Sequence, residues 1–385
     1  MAPGQPPSTP GEGTLPPHVE GDDELSQFHR DVVTHRKAEH VQIVLGKEDV
    51  ESSYRFWSDI ELVHNSLPEV DYDAIDTRVK FLGKELAFPL VITGMTGGYP
   101  GATFINRNLA RAASELRIAF GVGSERAAIV KGAFPESYSC AKEYDAPLKI
   151  ANIGAPQTIP QAPGEKVVGT EEARRAMELI DANVLAIHLN PLQERIQPEG
   201  DRKAKGSLAQ IAKMSKAFPV LAKETGAGIS REVALRLRRA GVKAFDISGR
   251  GGTSFAAVEY HRAVKQGAKR QIRLGKTFWD WGIPAPVSLR EVLPLQLPVI
   301  ASGGIRSGLD AARAIALGAS AVGFAGGILK AAATGYPETL EELRLFEEEL
   351  RTAMFLTGAV NVAQLRKVRK VITGRTAEWT RGRGS

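Results

Sequence analysis

The segment that most constrains this chain is PVIASGGIRSGLDAARAIALGASAVGFAGGIL, from Pro298 to Leu329. Val299–Ala301 is a continuous apolar run, the signature of a strand buried on both faces. Gly303 and Gly304 follow, where a backbone without Cβ atoms can turn sharply and approach a ligand closely. Ser307–Leu317 reads as an alanine- and leucine-rich helix ended by Gly318. Ala321–Phe324 is a second strand, and Gly326–Gly327 is expected to open another loop. In a (β/α)₈ barrel, the loops after the last two strands bind phosphate through backbone N–H groups and a short helix N-terminus. The segment therefore predicts a fold and a phosphate-bearing ligand together.

The rest of the chain repeats the alternation. Strands are expected at Pro89–Thr93, Ile118–Val122, Leu148–Ile153, Val184–Leu189, Val220–Lys223 and Ala244–Ile247, besides the two above. Helical patterns fall between them at Ala102–Leu116, Thr170–Asp181, Ser207–Ala217 and Ser230–Ala240, with an eighth at Glu338–Thr357. Such alternation implies parallel pairing with right-handed crossovers, and eight units favour a closed barrel over an open sheet. Ser26–Val50 reads as a helical extension, and Asp73–Phe88 as a hairpin turning near Gly83. Residues 1–25, rich in proline and glycine, read as a disordered tail, which leaves 26–385 as one domain. The fold class is thus α/β, a single (β/α)₈ barrel with an N-terminal helical extension and hairpin. Ser254–Leu295 is too long for a simple crossover and is expected to carry a lid or a subunit contact.

Composition excludes more than it selects. The chain has 385 residues, 43% hydrophobic and 24% charged, with a net charge of +6. Basic residues are scattered, apart from LRKVRK at Leu365–Lys370 and the C-terminal end, which argues for a solvated surface rather than nucleic-acid binding. An anionic small substrate suits the charge. The single cysteine, Cys140, allows neither an internal disulfide nor a cysteine zinc cage, so a reducing, cytoplasmic setting is expected. No apolar run reaches membrane-spanning length, and the N-terminal stretch, without a basic region followed by an apolar one, is not expected to be a secretory signal.

Nearly every expected strand ends in polar or glycine-rich text: TGMTGG, GVGSER, ANIGA, HLNPLQE, AKETGAG, DISGRGGT, SGGIR and AGG. In a barrel these ends share one face, which holds the active site. Together with RKAEHV at Arg36–Val41, they occur in the order found in the type 2 isopentenyl-diphosphate delta-isomerases, which the chain resembles from about Arg36 to Gly327. SGGIRSG and AGG are shared with many FMN barrels, whereas RKxEH, GSER and HLNxxQE are far more specific. The resemblance implies an FMN-dependent barrel enzyme of isoprenoid biosynthesis that moves a double bond of a five-carbon diphosphate. It implies FMN in its reduced form, Mg²⁺, NAD(P)H as reductant, and a homotetramer or homo-octamer.

Arg36 and His40 fall on one face of a helix with Lys37 adjacent, and a guanidinium, an ammonium and an imidazole suit diphosphate oxygens. By spacing alone they would equally form a basic solvated face; the resemblance makes them substrate-binding, with Ser124 and Arg126 as partners and Gln193 nearest the reacting carbons. His188, Asn190 and Gln193 are the catalytic candidates, although His188 alone would also suit a satisfied core histidine. Gln193, a neutral amide, is better suited to orient than to transfer protons. Glu194 offers a hard oxygen ligand to a Mg²⁺ that keeps several waters. For the flavin, the resemblance points to Thr93, Gly94, Met95 and Thr96 beside the ring, with Ser124 and Asn152 at its polar edge. Lys223 reads as a lone cation in an apolar strand, facing the N1–C2=O edge. Ser248 and Thr253 reach toward the ribityl and phosphate groups, and Gly303, Gly304, Ala325 and Gly326 cradle the phosphate. Two rival readings share the phosphate loops. An FMN-dependent hydroxyacid oxidase or dehydrogenase would recruit His188 as base and Arg250 for a carboxylate, and a non-catalytic sensor would need few of the other polar strand ends.

Overall fold

The computed structural model describes residues 35–46 and 48–383. The expected tail at 1–25 and the beginning of the helical extension lie outside the described residues; the extension is helical over residues 35–45.

Eight parallel strands close into a barrel in chain order. They are β1 (Leu90–Ile92), β2 (Ala119–Gly121), β3 (Lys149–Gly154), β4 (Val184–Leu189), β5 (Val220–Glu224), β6 (Ala244–Asp246), β7 (Val299–Ala301) and β8 (Ala321–Phe324). The ring is closed by β8 against β1, with Val322 opposite Leu90 and Phe324 opposite Ile92. All eight expected strands are present, with no end shifted by more than one residue. Their continuous hydrophobicity has a simple cause. The strands β1, β2, β6 and β7 are buried at every position, because helices cover one face and the barrel core fills the other.

The crossover helices present a narrow apolar stripe to the barrel and charge to solvent. Thr170–Ile180 buries Ala173, Ala176 and Ile180, and Arg231–Arg239 buries Ala234 and Leu237. Serine side chains cap several of them: Ser230 accepts from the Val233 N–H and Ser307 from that of Asp310. The expected hairpin pairs Val79–Phe81 with Lys84–Leu86, its turn made by Leu82 and Gly83, both at positive φ. It leads directly into the N-terminal end of β1.

Two elements depart from the expectation. Gly326–Gly327 does not open a loop. These residues are the first turn of the helix Gly326–Thr334, which starts one residue after β8. A glycine pair reads as a breaker, but at a helix start the N–H groups have no intrahelical partners in any case, and glycine is tolerated there. The long segment after β6 resolves into three helices, Phe255–Lys265, Lys269–Thr277 and Ala285–Val292. Against the first of these packs the helix at 35–45, through a small core of Ile43, Val50, Ala257 and Val258. That contact seats Arg36, Lys37 and His40 over the C-terminal ends of the strands. No helix among the described residues is long and apolar enough to cross a membrane.

Candidate active site

A basin of about 1730 Å³, measured out to the solvent at its mouth, opens at the C-terminal ends of the strands. Every residue to which the resemblance gives a site role lines it.

One wall is a backbone cradle. Gly303 and Gly304 follow β7 with φ of 88° and 82°, and a Cβ on either would overlap a carbonyl oxygen, of Gly249 and Gly251 respectively. Opposite them the helix Gly326–Thr334 begins, with Ala325 as its cap. A Cβ on Gly326 would lie 3.1 Å from Thr253 Oγ1, so the glycine leaves that space open. Arg306 braces the cradle from behind, donating to the carbonyls of Gly251 and Gly304 at 3.2 Å each and pairing with Glu51. Free N–H groups at a helix N-terminus beside a glycine loop suit a phosphate monoester.

The floor is polar. The segment Thr93–Thr96 lies against the end of β2, where a Cβ on Gly94 would overlap the Val122 carbonyl. Gly123 N and Asn106 Nδ2 both donate to Thr96 O. Asn152 Nδ2 donates to Val122 O at 3.1 Å, which fixes its amide so that Oδ1 must accept from His188 Nδ1 at 2.8 Å. His188 is therefore protonated on Nδ1 and keeps Nε2 as an acceptor. Burial, with Lys223 and Lys37 nearby, lowers its pKa to about 3, so the ring is neutral.

Lys223 is not a lone cation. Its ammonium donates to Asp246 Oδ2 at 2.7 Å, and the parallel register sets the two residues opposite each other on β5 and β6. Asp246 also accepts from Ser302 Oγ, which in turn accepts from Ser248 N at 3.0 Å. The flanking Glu224 points elsewhere and accepts four backbone N–H bonds from residues 225–228, while burial raises its pKa to about 7.

The roof carries two guanidinium groups, an imidazole and a lysine amine. Arg36 lies 3.8 Å from Glu199 and 3.3 Å from Gln197 Oε1. His40 Nε2 is 2.8 Å from Glu259. Arg126 is held by Asp201 at 3.1 Å and Glu165 at 3.3 Å. Lys37 donates instead to Ser124 O and Tyr138 Oη, both at 2.7 Å. Burial, then Arg36 and Arg126, lower its pKa to about 7 against the opposing pull of Glu125.

Between roof and floor stand the residues that begin the short helix Pro191–Ile196, itself capped by Asn190. Asn190 Nδ2 donates to Glu194 Oε1 at 2.9 Å and to Gln193 Oε1 at 3.2 Å. Glu194 Oε2 accepts from Asp201 N at 2.9 Å. Each oxygen of Glu194 thus keeps a lone pair for a cation, although no cluster of three ligating side chains exists among the described residues.

Sequence reasoning missed Asp246, Glu259, Gln197 and Tyr138. Asp246 had a signal, an acid inside the buried run AFDIS. Glu259 had none: it sits in an ordinary amphipathic stretch, yet it is fully buried and contacts His40, Gln193, Gln197 and Arg262. Although burial opposes it, His40 and Arg262 hold the Glu259 carboxyl well below the usual carboxylate range. Arg250, the residue a hydroxyacid oxidase would need, is turned to the Asp280 carbonyl and the rings of Phe56 and Trp379.

A stability consequence follows from His188. Between about pH 3 and 6.5 the unfolded chain binds a proton that the folded chain does not, so stability falls as pH drops through that window and is unaffected above it. Between pH 7 and 4.5 wild-type protein is expected to lose roughly 2–3 kcal/mol more than His188→Gln in denaturant unfolding. Equal losses would contradict the neutral, buried state of the imidazole.

Comparison with known proteins agrees with this geometry. The sequence model of the FMN-dependent dehydrogenase family matches residues 193–371. A flavocytochrome b2 variant shares the fold at 16% identity and a TM-score of 0.63, over 90% of this chain and 86% of that one. A lactate oxidase of Pediococcus acidilactici does so at 11% identity and 0.59, over 93% and 96%. Barrel and cradle together define a (β/α)₈-barrel protein with a phosphate-suited cradle at the ends of its last two strands. The isopentenyl-diphosphate delta-isomerase of Thermoplasma acidophilum is 50% identical over 344 residues, 89% of this chain and 98% of its own. That of Archaeoglobus fulgidus is 46% identical over 353 residues, 91% and 99%. The chain belongs to the isopentenyl-diphosphate delta-isomerase family and is an isomerase.

Proposed function

We propose that the protein interconverts isopentenyl and dimethylallyl diphosphate, adding a proton at C4 and removing one from C2, with reduced FMN and Mg²⁺ in the basin and NAD(P)H as the reductant. The observation that carries this reading is one basin with two anion-holding ends, a backbone cradle at Gly303–Gly304 and Gly326, and a cationic roof. The cradle suits the FMN phosphate, and Thr93–Thr96 with Asn152 and Lys223 suit its ring. Reduced FMN supplies acid–base chemistry at the ring face when bound.

The chain's own residues do the rest. Arg36, Lys37, His40 and Arg126, with Ser124, hold the diphosphate. Glu194 would hold Mg²⁺, which would supply positive charge to the anionic end of the substrate. Asn190 links that carboxylate to the Gln193 amide, so metal and amide are oriented together. Gln193 Nε2 is 3.4 Å from Glu259, which turns the amide rather than leaving it free. His188 presents Nε2 as an acceptor, and its neutrality spares the site a second positive charge beside a carbocation-like centre. The domain spans 26–385, and we place the protein in the cytoplasm as a homotetramer or homo-octamer.

The test is an anaerobic assay with reduced FMN, Mg²⁺ and isopentenyl diphosphate, followed by the appearance of dimethylallyl diphosphate. No product would overturn the reading. The shared fold with lactate oxidase favours a second reading, hydroxyacid oxidation, which would appear as bleaching of oxidised flavin by a 2-hydroxy acid. Glu194→Gln is expected to lower activity at least tenfold and raise the Mg²⁺ concentration needed for half-maximal rate. An unchanged metal titration would remove Glu194 from that role.

A further inference from the structure

Of the four basic side chains of the roof, only Lys37 has no carboxylate within ion-pair distance among the described residues. Its ammonium has three N–H donors, and the fold uses two of them, on Ser124 O and Tyr138 Oη at 2.7 Å. The tyrosine hydroxyl in turn donates to the same Ser124 carbonyl at 2.6 Å, closing a triangle in which both lone pairs of that oxygen are used.

Tyr138 is completely buried, and its position is set by the backbone around it. A Cβ on Gly97 would overlap the tyrosine ring, and one on Gly98 would lie 2.9 Å from both the Tyr138 oxygen and Lys37 Nζ. These glycines have φ of 150° and 81°, so the turn after β1 closes over the pair as only glycine permits. The neighbouring Ser137 accepts from Gly98 N at 2.8 Å and donates to Phe134 O, which ties the tyrosine's own short helix to that turn.

We propose that Tyr138 is a positioning residue for substrate binding: with the Ser124 carbonyl, its hydroxyl fixes the Lys37 ammonium so that the third N–H is offered to the anionic end of the substrate. A lysine without this brace would sample several rotamers, and a flexible point charge loses affinity when it must be ordered on binding. Tyr138 touches neither substrate nor cofactor in this scheme; it acts through Lys37. The inference rests on the proposed reading insofar as that anionic end is a diphosphate.

The test uses FMN-loaded protein and inorganic pyrophosphate as the probe, titrated by calorimetry, together with steady-state kinetics. Tyr138→Phe keeps the ring that fills the space beside Gly97 and removes only the hydroxyl. It is expected to weaken pyrophosphate binding about tenfold, the loss typical of one hydrogen bond to a charged group. KM should rise by a similar factor with kcat within about twofold, and FMN content should be unchanged. In a Lys37→Met background the same substitution should have no further effect on pyrophosphate affinity. A Tyr138→Phe protein that binds pyrophosphate as wild type does would overturn the proposal, as would additive losses in the double variant. Wild-type protein that binds pyrophosphate but forms no product would sink the isomerase reading alone. Wild-type protein that does not bind it would sink both.

Discussion

Gly303→Ala is expected to leave a folded protein that no longer retains FMN. Two costs combine at this position. The backbone sits at φ of 88°, in the left-handed region, where an L-residue costs about 1–2 kcal/mol. The new methyl would also overlap the Gly249 carbonyl oxygen, which belongs to the facing loop and cannot rotate away as a flexible side chain would. The two loops must separate, and the movement carries with it Gly304, which abuts Gly251, and the Trp57 Nε1 bond to Gly303 O at 2.8 Å. Gly83→Ala is the matched control. Gly83 has nearly the same φ, 81°, but nothing within 4 Å of an added Cβ, so it bears the backbone strain without the intrusion. Flavin absorbance after gel filtration should fall at least tenfold for Gly303→Ala and stay at the wild-type level for Gly83→Ala. Equal retention in both would mean that the cradle holds something other than the cofactor phosphate.

That contrast also shows which parts of the molecule the sequence carries openly. Continuous apolar runs such as LVI and AVGF announce strands buried on two faces, and the polar text after each announces the working face, because strand direction is common to all eight. Arg36, His40 and Glu194 stand out as site candidates through the motifs that carry the family resemblance, and the structure sets all three in the basin lining. Partners brought together by barrel closure do not stand out in this way. Periodicity tells which way Lys223 points but not which neighbouring strand supplies Asp246, so a buried ion pair looks like an isolated cation. Arg126 looks like a free clamp until the loop bearing Asp201 folds back to it. Tyr138, in SYSCAKEY, resembles any aromatic of a crossover segment until the glycine turn after β1 is laid over it. The helix that starts at Gly326 was hidden for a different reason, since glycine weakens a helix interior but not its first turn.

The Lys223–Asp246 pair supports the other large expectation. Both groups are buried, at 8% and 1% exposure, in the barrel core beneath the basin. Lys223→Met removes one charge and leaves the Asp246 carboxylate with Ser302 as its remaining partner, an uncompensated buried charge that costs about 3–5 kcal/mol. The melting temperature should therefore drop markedly in the single variant. Adding Asp246→Asn neutralises the orphan while keeping an acceptor for Ser302, and should recover most of the stability. Flavin behaviour should not recover with it. If the ammonium faces the N1–C2=O edge of the ring, both variants lack the positive charge that favours the anionic reduced cofactor, and both should show a lower flavin reduction potential and weaker retention than wild type. Stability and potential thus separate: the first follows the balance of buried charge, and the second follows the presence of Lys223. A double variant that regains the wild-type potential along with its melting temperature would show that Lys223 serves the barrel core and not the flavin.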